Sequence, residues 1–359
     1  MIDFKKQLEK ERKIINKELI KYFNKKEKYF LNEPKIAQII FSKLKEFTLR
    51  DGKRLRAILV LYGYKAFYKN NNLTYDKEIL NVAIAVELMQ SFLLIHDDII
   101  DNDNLRRNKP TMHKVLENEF GYLTTKNKEE LGKNLAIIAG DIISVLGSEI
   151  IENTKFDENI KLKAIKIFNE TIIKTCIGQT MDILSIYDKK ITEKEIKKIQ
   201  QYKTSIYSLY SPLKLGSVFA NANNDELKLL KKFAMPLGEA FQIQDDILGL
   251  IGDKKKIGKN IGSDIKEGKK TLLVIKAIKN SNEKQKQKIK KYLGKKDISI
   301  NEINEFIKII TETKSLDYSI NKARRLIKKS KLELKKINMN DNVKIFLESI
   351  ADFMLMREY

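Results

Sequence analysis

The chain has no tryptophan, one cysteine, two histidines and four prolines in 359 residues. The lone cysteine, Cys176, excludes an intrachain disulfide framework and fits a reducing compartment. It lies in the apolar-leaning stretch 171–177 and is expected to be a buried structural thiol. His96 and His113 read as structural residues. Few prolines and 15 glycines, set among long stretches of helical spacing, point to an all-α protein. No uninterrupted apolar run approaches the roughly 18 residues of a membrane span. The first ten residues, M-I-D-F-K-K-Q-L-E-K, lack the apolar core of a secretory signal. The expectation is a cytoplasmic protein without a transmembrane segment. The most apolar long segment, 135–151, carries Asp141 and Glu149 and reads as a buried core helix.

Arginine is also scarce. The net charge of +22 is carried by 61 lysines and only 9 arginines. The lysines are spread over helical segments rich in Ile, Asn and Glu, as solvated faces would be. The arginines are not spread: Arg50, Arg54, Arg56, Arg106 and Arg107 all fall in the first third. A basic balance of this kind admits nucleic acid or an anionic surface as partner. The clustering favours planar anion recognition instead, and no nucleic-acid partner is expected.

In chain order, the spacing predicts a charged helical segment over 1–34 ending at Pro34, then helices at 35–47, 53–67, 77–100 and 112–120. A loop is expected over 121–132, followed by helices at 133–153, 158–186, 192–221 and 225–251. A glycine-rich loop over 252–268 precedes shorter lysine-rich helices over 271–357. No repeat, linker or boundary divides the chain, so one domain over 1–359 is expected.

The helix at 77–100 delivers L-I-H-D-D-I-I-D-N-D-N-L-R-R at 94–107. Asp97 and Asp101 are four apart and share a helix face, where like charges cost about 0.2–0.5 kcal/mol. A cation between them reverses that sign. Carboxylates suit Mg²⁺, which bridges protein oxygens to substrate phosphates, and the following arginine pair suits bidentate phosphate binding. The alternative is a solvated acidic helix end followed by a basic turn. A second stretch, F-Q-I-Q-D-D-I-L-G-L-I-G-D at 241–253, repeats the construction with Asp245 and Asp246. Its third position is Gly249, with Asp253 beyond. Bundles build metal sites from side chains on facing helices, and two such pairs raise the metal–diphosphate reading above the alternative.

These stretches resemble the trans-isoprenyl diphosphate synthases, or polyprenyl synthetases. The resemblance covers roughly residues 35–357. It rests on G-K-R-L-R at 52–56, E-L-M-Q-S-F-L-L-I-H-D-D-I-I-D at 87–101, R-R-N-K-P-T at 106–111, G-Q-T-M-D at 178–182, K-T at 203–204, F-Q-I-Q-D-D at 241–246 and G-K-N-I-G-S-D-I-K-E-G-K-K-T at 258–271. It implies a single-domain all-α bundle around a deep central pocket, a homodimer, and a Mg²⁺-dependent reaction. In that reaction an allylic diphosphate (dimethylallyl, geranyl or farnesyl) ionises and is joined head to tail to isopentenyl diphosphate.

By the resemblance, Asp97, Asp98, Asp101, Asp245 and Asp246 are the metal-binding set, with Asp98 and Asp246 supporting. Three Mg²⁺ per site are implied, with Mn²⁺ as an alternative ion. Arg106, Lys203, Thr204, Gln242, Lys259 and Lys269 would serve the allylic diphosphate and its cation; Lys53, Arg56, Gln90 and Arg107 would serve isopentenyl diphosphate. Asp97, Asp98, Asp101, Arg106, Lys203 and Asp245 are the expected catalytic residues. Arg54 could equally serve a surface ion pair. Met89, Phe92 and Leu93, just before the first motif, would limit chain length. A single aromatic there leans toward a C20 product, geranylgeranyl diphosphate, over C15, farnesyl diphosphate. A terpene cyclase of the same helical class and a non-catalytic basic helical protein are the competing readings.

Overall fold

One helix, α4 (Lys77–Ile100), is apolar nearly all the way round, and its residues from Val82 to Phe92 are buried without interruption. A helix without a polar face has to be covered on all sides. Asp76 caps it by accepting a hydrogen bond from the Glu78 N–H. It ends at Ile100, with the Asp101 N–H bonded back to the Asp97 carbonyl at 2.8 Å.

The computed structural model describes residues 4–68, 76–124, 126–251 and 262–355. The chain forms two compact units. One comprises Met1–Phe168 with Pro212–Ala222, and the other Asn169–Ser211 with Asn223–Tyr359. In the first, α1 (Phe4–Phe30), α2 (Lys35–Leu49) and α3 (Leu55–Phe67) pack with α4, and α5 (Met112–Phe120) and α6 (Lys128–Glu152) close the group. The helix α7 (Glu158–Tyr187) runs on past Phe168. In the second unit, α8 (Glu193–Gln200) continues into a π-helical segment, Gln201–Tyr210, which packs on α10 (Asn224–Ile251). Between them in sequence lies α9 (Ser211–Phe219). After α11 (Ser263–Glu267) come α12 (Leu272–Asn280), α13 (Glu283–Tyr292), α14 (Ile300–Glu312), α15 (Ser315–Lys335) and α16 (Asp341–Leu355). The chain is all-α. Among the described residues the only strands are β1 (Leu105–Arg106) and β2 (Lys109–Pro110), a two-stranded ribbon.

Four expectations are corrected. The helix α6 begins at Lys128, inside the expected loop, and crosses α5 at Gly132, where a Cβ would sit 2.4 Å from the His113 carbonyl oxygen. The segment 135–151 is not a fully buried helix, since Ile137, Ile138 and Val145 are 42%, 53% and 66% exposed. Cys176 is exposed, not buried. The expected helix over 192–221 is three segments with a π-helical middle. By length and composition α4 and α6 could cross a membrane, with windows 72% and 44% buried respectively.

Candidate active site

In the first unit the site residues gather around the C-terminal end of α4. Asp97 and Asp101 lie on consecutive turns and are partly accessible, while Asp98 turns inward and is fully buried. Arg106 Nε donates to Asp98 Oδ1 at 2.7 Å and its Nη2 also reaches that oxygen. The same Nη2 lies 3.3 Å from Asp103 and 3.8 Å from Asp97. Burial pushes the Asp98 carboxyl up to about 6; Arg106 opposes this, and Asp97 and Asp103 add to it. Asp98 Oδ2 is buried without a hydrogen-bond partner among the described residues. Burial opposes charge on Arg106, but Asp98 outweighs it and the guanidinium is held above its ordinary value.

The ribbon turns through Arg107 and Asn108, whose φ values of 56° and 59° are left-handed. Paired positive φ values are what a tight two-residue hairpin requires, and a long side chain held there marks a position fixed by its surroundings. Arg107 Nη1 donates to the Arg50 carbonyl at 2.9 Å. Burial lowers the Arg107 pKa, and Arg54, Arg106 and Arg56 lower it further while Glu87 opposes them. Four guanidiniums thus act on one neighbourhood. Lys53 is exposed beside them and Arg56 is half-buried. Gln90 is 9% exposed, with Oε1 buried and unpartnered among the described residues. Arg54 is not at a surface: it forms a buried ion pair with Glu87 at 3.0 Å.

Below Asp97, Gln90, Leu93 and Asp97 share one helical face, while Phe92 lies on the side of His96. Phe92 is buried, edge-on to the His96 ring with centroids 4.8 Å apart, and Met89 is buried. His113 is buried beside Thr111, and burial lowers its pKa.

In the second unit Lys203 and Thr204 stand on the π-helical segment, a form that often marks functional positions. The segment sits close to α7 and α10 because Gly178 and Gly238 lack side chains. A Cβ would come within 2.5 Å of the Lys203 amide at the first and 2.4 Å of Ser205 Cα at the second. Lys203 Nζ pairs with Asp182 at 2.8 Å. Thr204 donates its hydroxyl hydrogen to Gln242, whose amide donates to Asp246 Oδ1 at 2.8 Å. Asp246 is held well above the carboxylate range by burial and by Asp264, with Asp245 and Asp182 adding and the Gln242 hydrogen bond opposing. Lys269 pairs with Glu267 at 2.5 Å and lies 3.9 Å from Asp264. Lys259 and Asp253 lie outside the described residues.

Among the described residues no three His, Cys, Asp or Glu side chains form a group able to hold a metal alone. The unpartnered Asp98 oxygen and the crowding of the buried Asp246 by Asp264, Asp245 and Asp182 fit cations, which would relieve both. Asp103, Asp182, Asp264 and Glu87 were missed as site neighbours. Asp182 ends the G-Q-T-M-D stretch and Asp264 falls in G-S-D-I, so only their pairing partners were hidden.

An all-α chain with a D-D-x-x-D helix end, a guanidinium cluster and a second aspartate helix is built as a prenyltransferase of the isoprenyl diphosphate synthase class. Residues 37–310 match the polyprenyl synthetase family, and the chain belongs to it. The short chain isoprenyl diphosphate synthase of Methanocaldococcus jannaschii is 35% identical over 320 residues, covering 89% of this chain and 90% of that protein. The geranylgeranyl diphosphate synthase of Sulfolobus acidocaldarius is 32% identical over 310 residues, covering 85% and 87%. The crystal structure of geranylgeranyl pyrophosphate synthetase from Pyrococcus horikoshii superposes with a TM-score of 0.82 at 28% identity, covering 99% of both chains.

Proposed function

We propose that this prenyltransferase condenses isopentenyl diphosphate with an allylic diphosphate by ionisation, condensation and proton loss. The observation that carries the reading is the arginine pair beside the aspartate helix end, with Arg106 bonded to Asp98 and Arg107 seated separately on the Arg50 carbonyl. A cyclase ionises one diphosphate and needs no second anion cradle. A basic nucleic-acid binder needs no paired carboxylates.

Divalent ions, Mg²⁺ with Mn²⁺ as an alternative and three in number, would supply Lewis-acid neutralisation of the leaving diphosphate. Asp97, Asp101 and Asp245 would hold them. Asp98 and Asp246 support: Asp98 aims Arg106, and Asp246 fixes Gln242 through its amide. The barrier to ionisation is charge separation, and pre-placed cations lower it most. Arg106, aimed by Asp98, and Lys259 bind the allylic diphosphate together with Lys203 and Lys269, which exchange the Asp182 and Glu267 carboxylates for phosphate oxygens. Lys53, Arg56, Arg107 and Gln90 bind isopentenyl diphosphate. The Thr204–Gln242 pair turns its oxygens toward the allylic cation, and the released diphosphate takes the proton.

The product proposed is C20, with C15 as the shorter outcome, limited by Met89, Phe92 and Leu93. The exposed Ile137, Ile138 and Val145 of α6 support a homodimer, and a cytoplasmic location belongs to the same reading. Asp245→Ala tests the metal role. Turnover should fall by at least about 100-fold, with unchanged far-UV circular dichroism and a higher Mg²⁺ requirement for the residual rate. Full activity in this variant would refute the role.

A further inference from the structure

The middle residue of G-K-R-L-R is the one whose side chain cannot reach a ligand. Arg54 is 4% exposed, yet it lies between Lys53 and Arg56, two of the residues proposed to hold isopentenyl diphosphate. Its backbone is left-handed at φ 52°, a region that a long L side chain occupies only when its surroundings compel it.

The side chain shows what compels it. Nε donates to Asn16 Oδ1 on α1 at 2.9 Å. Nη1 donates to Glu87 Oε2 on α4 at 3.0 Å. Nη2 donates to the Thr48 and Arg50 carbonyls, at the end of α2, at 3.0 and 2.8 Å. One planar fork therefore ties three helices to the start of a fourth. The Arg50 carbonyl is shared, because Arg107 donates to it as well. Arg107 also lies over Gly52, where a Cβ would come 2.8 Å from its Cζ. Glu87 is 3% exposed and is one helical turn before Gln90.

We infer that Arg54, locked to Glu87, is a positioning residue for the isopentenyl diphosphate cradle. It fixes the turn from which Lys53 and Arg56 project and the carbonyl on which Arg107 is seated. Glu87 balances the one cation of the G-K-R-L-R stretch that is fully buried, Arg54. The inference rests on the proposed function for the identity of the anion.

The test measures calorimetric affinity of the full chain for isopentenyl diphosphate and, separately, for geranyl diphosphate with Mg²⁺, together with both KM values. Arg54→Lys keeps the charge but cannot serve four acceptors in one plane. It should raise Kd and KM for isopentenyl diphosphate about tenfold while those for geranyl diphosphate move less than about twofold. Asn16→Ala, which removes one outer hydrogen bond and leaves the ion pair, should show the same split at about threefold, and it carries the test if Arg54→Lys does not fold. Equal changes for both substrates, or none, overturn the positioning role. Wild-type protein that binds no isopentenyl diphosphate overturns the assignment of the anion, and with it this inference.

Discussion

Arg106 holds one oxygen of the fully buried Asp98 at 2.7 Å and leaves the other oxygen without a partner among the described residues. The second aspartate of D-D-x-x-D is thus an aiming device for the arginine that follows the motif, while Asp97 and Asp101 are left partly open to solvent. Asp98→Asn should lower turnover about 100-fold by losing the charge-assisted contact. Its melting temperature should also fall, because the buried Arg106 loses the charge that compensates it, so turnover is read well below the melt. Steady-state kinetics beside a thermal melt checks both. A variant with full turnover would show that the pair is only structural.

Phe92 is buried against His96, and Leu93 lies on the Asp97 face one turn below it. If Phe92 limits the chain, Phe92→Ala should shift the product to greater length by at least one C5 unit. Chromatography of the dephosphorylated products reads this directly. An unchanged product spectrum removes Phe92 from the set.

Glu193 accepts from Lys276 at 2.7 Å, Lys322 at 2.9 Å and Tyr318 at 2.8 Å. Burial alone would raise its pKa, but these partners outweigh it and hold the carboxyl down at about 2. A depressed folded-state value stabilises above the unfolded value of 4.5 and loses that contribution as pH falls toward 2. Wild-type protein should therefore lose stability between pH 5 and 3 more steeply than Glu193→Gln, as checked by urea unfolding at the two pH values. Parallel losses would contradict the ion-pair account.

Gly216 on α9 lies against α3, where a Cβ would stand 1.9 Å from the Val60 carbonyl oxygen and 2.7 Å from the Tyr64 amide. Neither backbone atom can yield cheaply. Gly216→Ala should cost about 3 kcal/mol or more, as read from denaturant unfolding. A cost below about 1 kcal/mol would mean that the helices separate easily.

Much of this was legible in sequence because the signals were local. The helix α4 begins and ends where its apolar run and its aspartates place it, whereas the second aspartate pair lies inside α10, which continues to Ile251. What was not legible depends on distant neighbours. Gly132 and Gly178 look like helix weakeners until the crossing partners His113 and Lys203 are known. Nothing in residues 192–221 distinguishes a π-helical stretch from an α-helix, and its close approaches at Gly178 and Gly238 involve residues distant in sequence. The half-exposed face of α6 carries the same residues as a buried one. The left-handed Arg54 and Arg107 have no propensity signal at all, since their hydrogen-bond partners impose the conformation.

The central claim is tested by incubating the protein with Mg²⁺, isopentenyl diphosphate and C5, C10 or C15 allylic diphosphate, and then chromatographing the products. The account predicts elongation that requires both substrates and Mg²⁺ and ends mainly at C20. No elongation with any primer, or release of a cyclised hydrocarbon from the allylic diphosphate alone, would contradict it.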